Sequence, residues 1–393
     1  MMTQTTAHRW QGFFILLAIL LVSANLRAPV TILGPLINPL STQFHLSNST
    51  LGMLTTLPLL AFGFFSPVAN WFSHKIGLLK SLSFGMLLII IGHAIRLMAS
   101  VPTLYAGTLL ISCGIAVGNV LLPVVVKSFF PKHVALVTSS YVLFMGIIAG
   151  AGSSLMIPLT EHYGFSNQAA LTSVVIFAIL ALCACLPWGN LTSPSHQSSH
   201  TDQPKNRLWR YPLAWYVTLY GGINSTIYYA MITWLPNILI ELGQSPEQAG
   251  ATHGLLQLAS ALPGFVIVPL MKKFDDQRHI TLLMSLSLLV SFLGLILLPS
   301  MAVVWSFLFG FSSGGVFLLA LIFMVIRTST TSKATALSAM AQLVGYILAA
   351  IAPPIFGALH DASSSWMSTL WVFVVLALAI TLMGALSSRN RTI

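Results

Sequence analysis

The chain has 393 residues, of which 56% are hydrophobic and 6% charged, where a globular domain carries about 25% charged residues. With a mean hydropathy of +0.89 it cannot cover itself with polar surface, which excludes a soluble protein and requires lipid as solvent. The formal net charge of +10 would suit a nucleic-acid partner, but the placement of the charges excludes that reading.

A helix that crosses a bilayer needs about 20 mostly apolar residues. Such runs are predicted at 11–37, 49–72, 79–99, 103–127, 134–158 and 167–189, and then at 212–240, 247–271, 279–299, 301–327, 334–358 and 365–387. The first run is too long for a signal-peptide core and lacks a small-residue cleavage site at its end. It is expected to stay as the first span. Connections are short except for "NLTSPSHQSSHTDQPKNR", which begins a polar linker predicted over 190–211. The chain thus divides into an N-terminal half, 1–189, the linker, and a C-terminal half, 212–393. The "NLT" triplet has the form of a glycosylation acceptor, but its expected cytosolic side removes that use.

Lys and Arg fix the orientation. Alternate loops on one side carry Arg9, Lys75, Lys80, Lys127, Lys132, Lys205, Arg207, Arg210, Lys272, Lys273, Arg278, Arg327, Lys333, Arg389 and Arg391. The opposite loops carry none, and only Arg27 and Arg96 fall within spans. This asymmetry predicts twelve spans with both termini and the linker in the cytosol. The halves also echo one another: Asn25 before "GPLINPL" matches Asn224 before "LPNILIEL", and "VALVTSSYVLFMG" matches "TALSAMAQLVGY". The predicted fold is an all-α integral membrane protein with twelve transmembrane helices in two pseudo-symmetric six-helix halves. Cys113, Cys183 and Cys185 lie in apolar spans and are expected as buried small hydrophobes, with no disulfide or metal framework.

Several stretches carry a resemblance: "NLRAPVTILGPL", "LGMLTTLPLLAFGFFSPVA", "GIAVGNVLLPVVVK", "GINSTIYYAMITWLP" and "ALSAMAQLVGYILAAIAPPIFGALHD". Through them the chain resembles the cyanate and 2-nitroimidazole transporter branch of the major facilitator superfamily over nearly its whole length, with the nitroimidazole-exporting members the nearer likeness. The resemblance implies a monomeric inner-membrane transporter of a small compound, without cofactor, whose halves rock around a site near the midplane. One departure is "NWFSHKIGLLK", where His74 stands in place of an aspartate that the superfamily usually carries between spans 2 and 3. The stretch reads either as a plain basic turn or as a weakened latch between conformations.

The seven acidic residues, Glu161, Asp202, Glu241, Glu247, Asp275, Asp276 and Asp361, all fall in loops or at span ends. A carboxylate proton relay in the membrane is therefore disfavoured. Arg27 is the converse: an arginine at the centre of a spanning helix costs about 2.5–3.5 kcal/mol on insertion scales, and no buried acid neutralises it. It must face a wet cavity, helix-end carbonyls or a bound anion. Its planar fork suits carboxylate or nitro oxygens; the other reading is a structural arginine between helices. Thr31 and Gly34 follow on the same helical face. Pro29 lacks an N–H, so the Asn25 carbonyl is expected to lose its partner and open a kink beside Arg27.

Further candidates for the substrate site are Asn119 in span 4, Tyr141 in span 5, Asn224 and Tyr228 in span 7, His253 and Gln257 in span 8, and Gln342 and Tyr346 in span 11. Each could instead make an interhelical hydrogen bond. His253 is the obvious titratable group near the cavity and a candidate carrier of a coupled proton, whereas His93 and Arg96 read as structural. No nucleotide domain, metal cluster or acid/base pair is recognisable, which argues against an ATP-driven pump or an enzyme. A sensor without transport would need an output domain larger than the linker. The expected ligand is a small planar or anionic compound; a porter of cyanate or another small anion and a broader drug exporter are the alternatives.

Overall fold

Lipid offers no hydrogen-bond partner to a bare peptide group, so each crossing must satisfy its backbone within itself. The computed structural model is accordingly built of helices, with no strand among the described residues, which are 2–188, 208–273 and 277–393. Most of the predicted linker lies outside the described residues, as do Lys205 and Arg207 and the acidic Asp202, Asp275 and Asp276. So does the side chain of His74.

The architecture is twelve crossings in two six-helix halves. Ten helices among the described residues are long and apolar enough to span a membrane by composition alone. The second span, Asn48–Ile76, and the seventh, Pro212–Glu241, complete the set with 29 and 30 residues; about 20 residues of helix already cover 30 Å. The seventh is less apolar because it carries Asn224, Ser225, Asn237 and several tyrosines. Contacts divide the chain into two units, Met1–Phe44 with Leu57–Gln197, and His45–Thr56 with Ser198–Ile393.

In the first unit, span 1 is three helices: Met2–Ala24, Ala28–Thr31 and Leu33–Phe44. It runs beyond its expected end at 37. Spans 3 (Leu78–Arg96) and 4 (Val101–Phe129) lie backbone against backbone on two glycine pairs. Gly85 faces Gly114, and two turns along Gly92 faces Gly107; a Cβ on Gly92 would sit 2.6 Å from the Gly107 carbonyl oxygen. Apolar burial drives no association in lipid, so such close backbone contact is what joins helices there. Arg96 ends span 3 fully buried and donates to Thr108 Oγ1 from Nε (3.2 Å) and Nη2 (2.8 Å), bracing the two spans. Its charge also faces the carbonyl end of its own helix. Span 5 is Val134–Glu161. Span 6 is two pieces, Asn167–Thr172 and Val175–Cys185. Cys113 and Cys185 are buried, but Cys183 is exposed, because it sits on a helix face that no neighbour covers.

In the second unit, span 8 also breaks, into Pro246–Ala259 and Pro263–Lys273. The residue before a proline avoids the helical region, which ends the first piece ahead of Pro263. Spans 9 (Arg278–Leu297), 10 (Ala302–Ile326), 11 (Thr331–Ser363) and 12 (Met367–Ser387) follow. Span 11 outruns its expected 334–358 at both ends. The first turns of span 2 belong to this unit. Asp361 accepts from Asn48 Nδ2 (2.8 Å) and from the Ser49 backbone N–H (3.2 Å), one of the N-terminal amides a helix cannot satisfy itself. Further along, Thr56 donates to the Ala350 carbonyl (2.6 Å), and Trp234 Nε1 to that of Pro353 (2.9 Å).

The glycine pairing predicts a specific weakness. A Cβ on Gly107 would lie 2.5 Å from the Gly92 oxygen and 2.8 Å from Arg96 Cγ, and backbone cannot step aside. Gly107→Ala should cost about 1–3 kcal/mol and lower the unfolding midpoint of the detergent-solubilised protein. Gly12→Ala, with nothing within 4 Å, should leave it unchanged. Equal midpoints would contradict the packing described.

Candidate functional site

In the first unit the centre of interest is the break in span 1. The Asn25 and Leu26 amides bond back by three residues, to Val22 and Ser23 (3.0 Å each). The Leu21 carbonyl is thereby freed from its usual partner, and it accepts from Asn25 Nδ2 at 2.8 Å. An asparagine side chain competing with its own backbone ends the helix. The break thus begins at Asn25 itself, ahead of Pro29. The helix restarts at Ala28, with Pro29 in its first turn, where a missing N–H costs nothing.

Arg27 sits in that break with φ −132° and ψ −45°. From Val22 to Ile37 every residue is buried except Arg27, which is half-exposed. Packing has covered the rest of the segment and left Arg27 half-exposed. Asn25 Oδ1 beside it is buried and has no hydrogen-bond partner. Span 4 passes at the same level, because Gly118 lies against Leu26. The next residue along, Asn119, is exposed. Thr31 does not accompany Arg27: it is fully buried, its hydroxyl donates to Ala28 O (3.2 Å), and its carbonyl accepts from Ser153 (3.4 Å). Tyr141 on span 5 is 9% exposed.

In the second unit three of the expected residues form one chain. Tyr228 Oη donates to Gln257 Oε1 at 3.3 Å, and Gln257 Nε2 lies 3.2 Å from His253 Nε2. Spans 7 and 8 are joined by this chain. Tyr228 is half-buried, whereas Gln257 and His253 are fully buried. Asn224 is committed elsewhere: its Nδ2 donates to the Ser313 carbonyl (3.1 Å), and Ser313 Oγ donates back to its Oδ1 (3.0 Å). This reciprocal pair joins spans 7 and 10.

Gln342 is exposed and donates to Ser338 Oγ (3.2 Å); Tyr346, one turn on, is half-buried. Gln342 lines a cavity of about 840 Å³ between spans 10 and 11, with Leu321, Met324, Thr328, Thr335 and Ser338. Ser313 and these hydroxyls gave no sequence signal, since Ser and Thr in apolar helices commonly bond their own preceding turn. Among the described residues no cluster could hold a metal ion. The described carboxylates stay at helix ends: Asp361 as above, Glu241 on the Trp366 amide (2.9 Å), and Glu161 and Glu247 in terminal turns. What these arrangements offer chemically is a half-exposed cation in the first unit and several neutral donors and acceptors in each unit.

A family model described as Major Facilitator Superfamily matches residues 15–353. The sequence is 42% identical over 393 residues, the full length of both chains, to the 2-nitroimidazole transporter of Escherichia coli (strain K12). It is 28% identical over 361 residues to the cyanate transport protein CynX of the same organism, covering 91% of this chain and 92% of that one. Its fold matches a crystal structure of a D-xylose–proton symporter with a TM-score of 0.76 at 14% identity, over 97% of this chain and 99% of the other.

The Asn224–Ser313 pair predicts stability loss without a specific ligand effect. Asn224→Ala leaves Ser313 Oγ without its acceptor and should cost about 1 kcal/mol, read from unfolding of the purified protein. A normal midpoint with a sharply raised KM for transport would instead make Asn224 a ligand contact.

Proposed function

The chain belongs to the major facilitator superfamily, and we propose that it is a secondary active transporter of a small planar or anionic organic compound, nitroimidazole-like, moved by alternating access. The observation that carries the reading is Arg27, half-exposed at the break of an otherwise buried segment. The half-exposed side of a guanidinium needs oxygen acceptors, and the described spans carry carboxylates only at their ends. A ligand with nitro or carboxylate oxygens fits that need, and a cationic drug does not. The full-length likeness to a 2-nitroimidazole transporter points the same way.

Arg27 is the substrate-binding cation in this reading. In the first half Asn25 and Asn119 stand beside it, with Tyr141 as an aromatic candidate; in the second half Tyr228, Gln342 and Tyr346 are the candidate contacts. Thr31, Asn224, Gln257 and His253 stand behind these, holding backbone and side chains in place. The Lys and Arg asymmetry supports a multi-pass inner-membrane protein with both termini and the 190–211 linker in the cytosol, and we take 1–189 and 212–393 as its halves. The protein works as a monomer, with a small molecule, and the proton as coupling ion, for partners; it needs no metal or cofactor and catalyses no reaction. The second reading is a porter of cyanate or another small anion, which the same cation would serve and which the likeness to the cyanate transport protein favours.

Flux into proteoliposomes tests both with one panel: 2-nitroimidazole, cyanate, an aromatic acid and a cationic dye. The protein should move 2-nitroimidazole, and Arg27→Ala should reduce that flux about tenfold or more, the worth of a charge-assisted hydrogen bond. Movement of cyanate alone would select the second reading. Movement of the cationic dye alone, unaffected by Arg27→Ala, would overturn both.

A further inference from the structure

A second polar cluster lies in the first unit, where span 3 ends and span 6 begins. Thr108 cannot satisfy Arg96 alone. The Thr108 hydroxyl hydrogen goes to the Leu104 carbonyl (2.6 Å), and its two lone pairs take Arg96 Nε and Nη2. That hydroxyl is then saturated. Arg96 Nη1 is buried and has no hydrogen-bond partner. The carbonyl end of span 3 offers it partial negative charge but no hydrogen bond. Both ring nitrogens of His93 and the amide nitrogen of Gln168 are likewise buried without a partner.

The fold brings these three residues to one place. His93 and Arg96 are three positions apart, neighbours on one helical face, and the charge of Arg96 acts on the imidazole. Spans 3 and 6 pack together. One is an odd crossing and the other an even one, so they run antiparallel. Thr172 Oγ1 reaches the His93 carbonyl at 3.5 Å. Gln168, one turn before Thr172, is then level with Arg96, one turn beyond His93. The three side chains do not satisfy one another, and what they lack in common is an acceptor. Arg96 Nη1 and Gln168 Nε2 each carry two N–H groups, and the imidazole at least one, against at most one lone pair on the imidazole.

We propose that Arg96, Gln168 and His93 form a binding site for a small inorganic anion of the halide class. Arg96 Nη1, Gln168 Nε2 and an imidazole N–H donate to it. A water in that place would bring two more hydrogens and find one lone pair for them. It would also leave the guanidinium charge unanswered, and a buried unpaired charge is costly. An anion accepts from every donor and brings no hydrogen. The burial of all three side chains suits a monatomic ion, since the several oxygens of a phosphate would ask for more donors than the cluster holds.

The site stands apart from the place assigned to Arg27. Arg96 packs on Gly107 of span 4, whereas Leu26, beside Arg27, packs on Gly118. Eleven positions separate the two glycines, about 16 Å along the helix at about 1.5 Å per residue. Span 5 also packs on the start of span 6, but its carboxylate, Glu161, is exposed. No carboxylate is bonded to Arg96 among the described residues. The anion therefore ties spans 3, 4 and 6 as a fixed ligand of the folded N-terminal half, whatever compound the transporter carries.

Unfolding of the detergent-solubilised protein reads the occupancy of this site. Chloride replaces gluconate stepwise at a constant ionic strength of about 0.15 M, so that screening does not change. The unfolding midpoint should rise and then level off, as mass action requires of one site. Arg27→Ala should leave that curve as it is. Arg96→Met should make it flat. Gln168→Leu removes one donor and should move the half-rise to about tenfold more chloride. A flat curve in the unmodified protein would mean that water fills the cluster, and it would overturn the site. A rise that is lost in Arg27→Ala, or that persists in Arg96→Met, would overturn it as well. Should Arg96→Met fail to fold, Gln168→Leu decides alone, and an unchanged half-rise there overturns the site.

Discussion

The structure depends on one constraint: among the described residues the spans hold cations and dipoles in their interiors but carboxylates only at their ends. A buried cation in the spans must then look to neutral oxygen. Arg96 is held by the Thr108 hydroxyl. Arg327, buried at the end of span 10, is held by the carbonyls of Ser387 (3.1 Å) and Ser388 (2.8 Å) and by Gln277 Oε1 (2.9 Å). Both are helix-end arginines stitched to a neighbouring span. Arg27 is placed differently, at a helix break and half-exposed. We assign the third to the ligand on its half-exposed place at the break.

The packing answers the same environment. Between lipid-facing helices, apolar side chains gain little by meeting each other rather than acyl chains. Close approach and hydrogen bonds must do the joining. The paired glycines of spans 3 and 4, and the contact of Gly310 with the Leu256 carbonyl, bring backbones together. The reciprocal bonds of Asn224 and Ser313, and the chain through Gln257, cross between spans where backbones stand further apart. Polar residues in these helices therefore serve two ends. Those that pair across spans fix the scaffold, and we assign binding to the half-exposed Arg27 and the exposed Asn119.

Much of this was legible in the sequence, for physical reasons. Crossing a bilayer imposes length and hydropathy, so spans stand out against short polar loops. The pairing of His253 with Gln257 follows from helical spacing alone. Where a side chain competes with its own backbone, spacing is silent. Pro29 drew attention as the cause of a kink, yet Asn25, by taking the Leu21 carbonyl, breaks the helix first. Partners on other spans are also invisible: Ser313 is 89 positions from Asn224, and Tyr228 is 29 from Gln257. Thr31 lies one turn from Arg27, as spacing predicts, but the restart of the helix at Ala28 and the contact with Ser153 leave it buried. The attachment of His45–Thr56 to the second unit rests on Asp361, which hydropathy marks only as a span end.

The central claim is that the half-exposed Arg27 selects a ligand for its negative oxygens. Equilibrium binding of 2-nitroimidazole and 2-chloroimidazole to the purified protein at mildly acidic pH isolates that term, since both rings are then uncharged and similar in size, and the second has no oxygen. The account predicts a preference for the nitro compound of about tenfold or more, abolished in Arg27→Gln. Equal affinity for the two rings, or a preference that survives in Arg27→Gln, would contradict it.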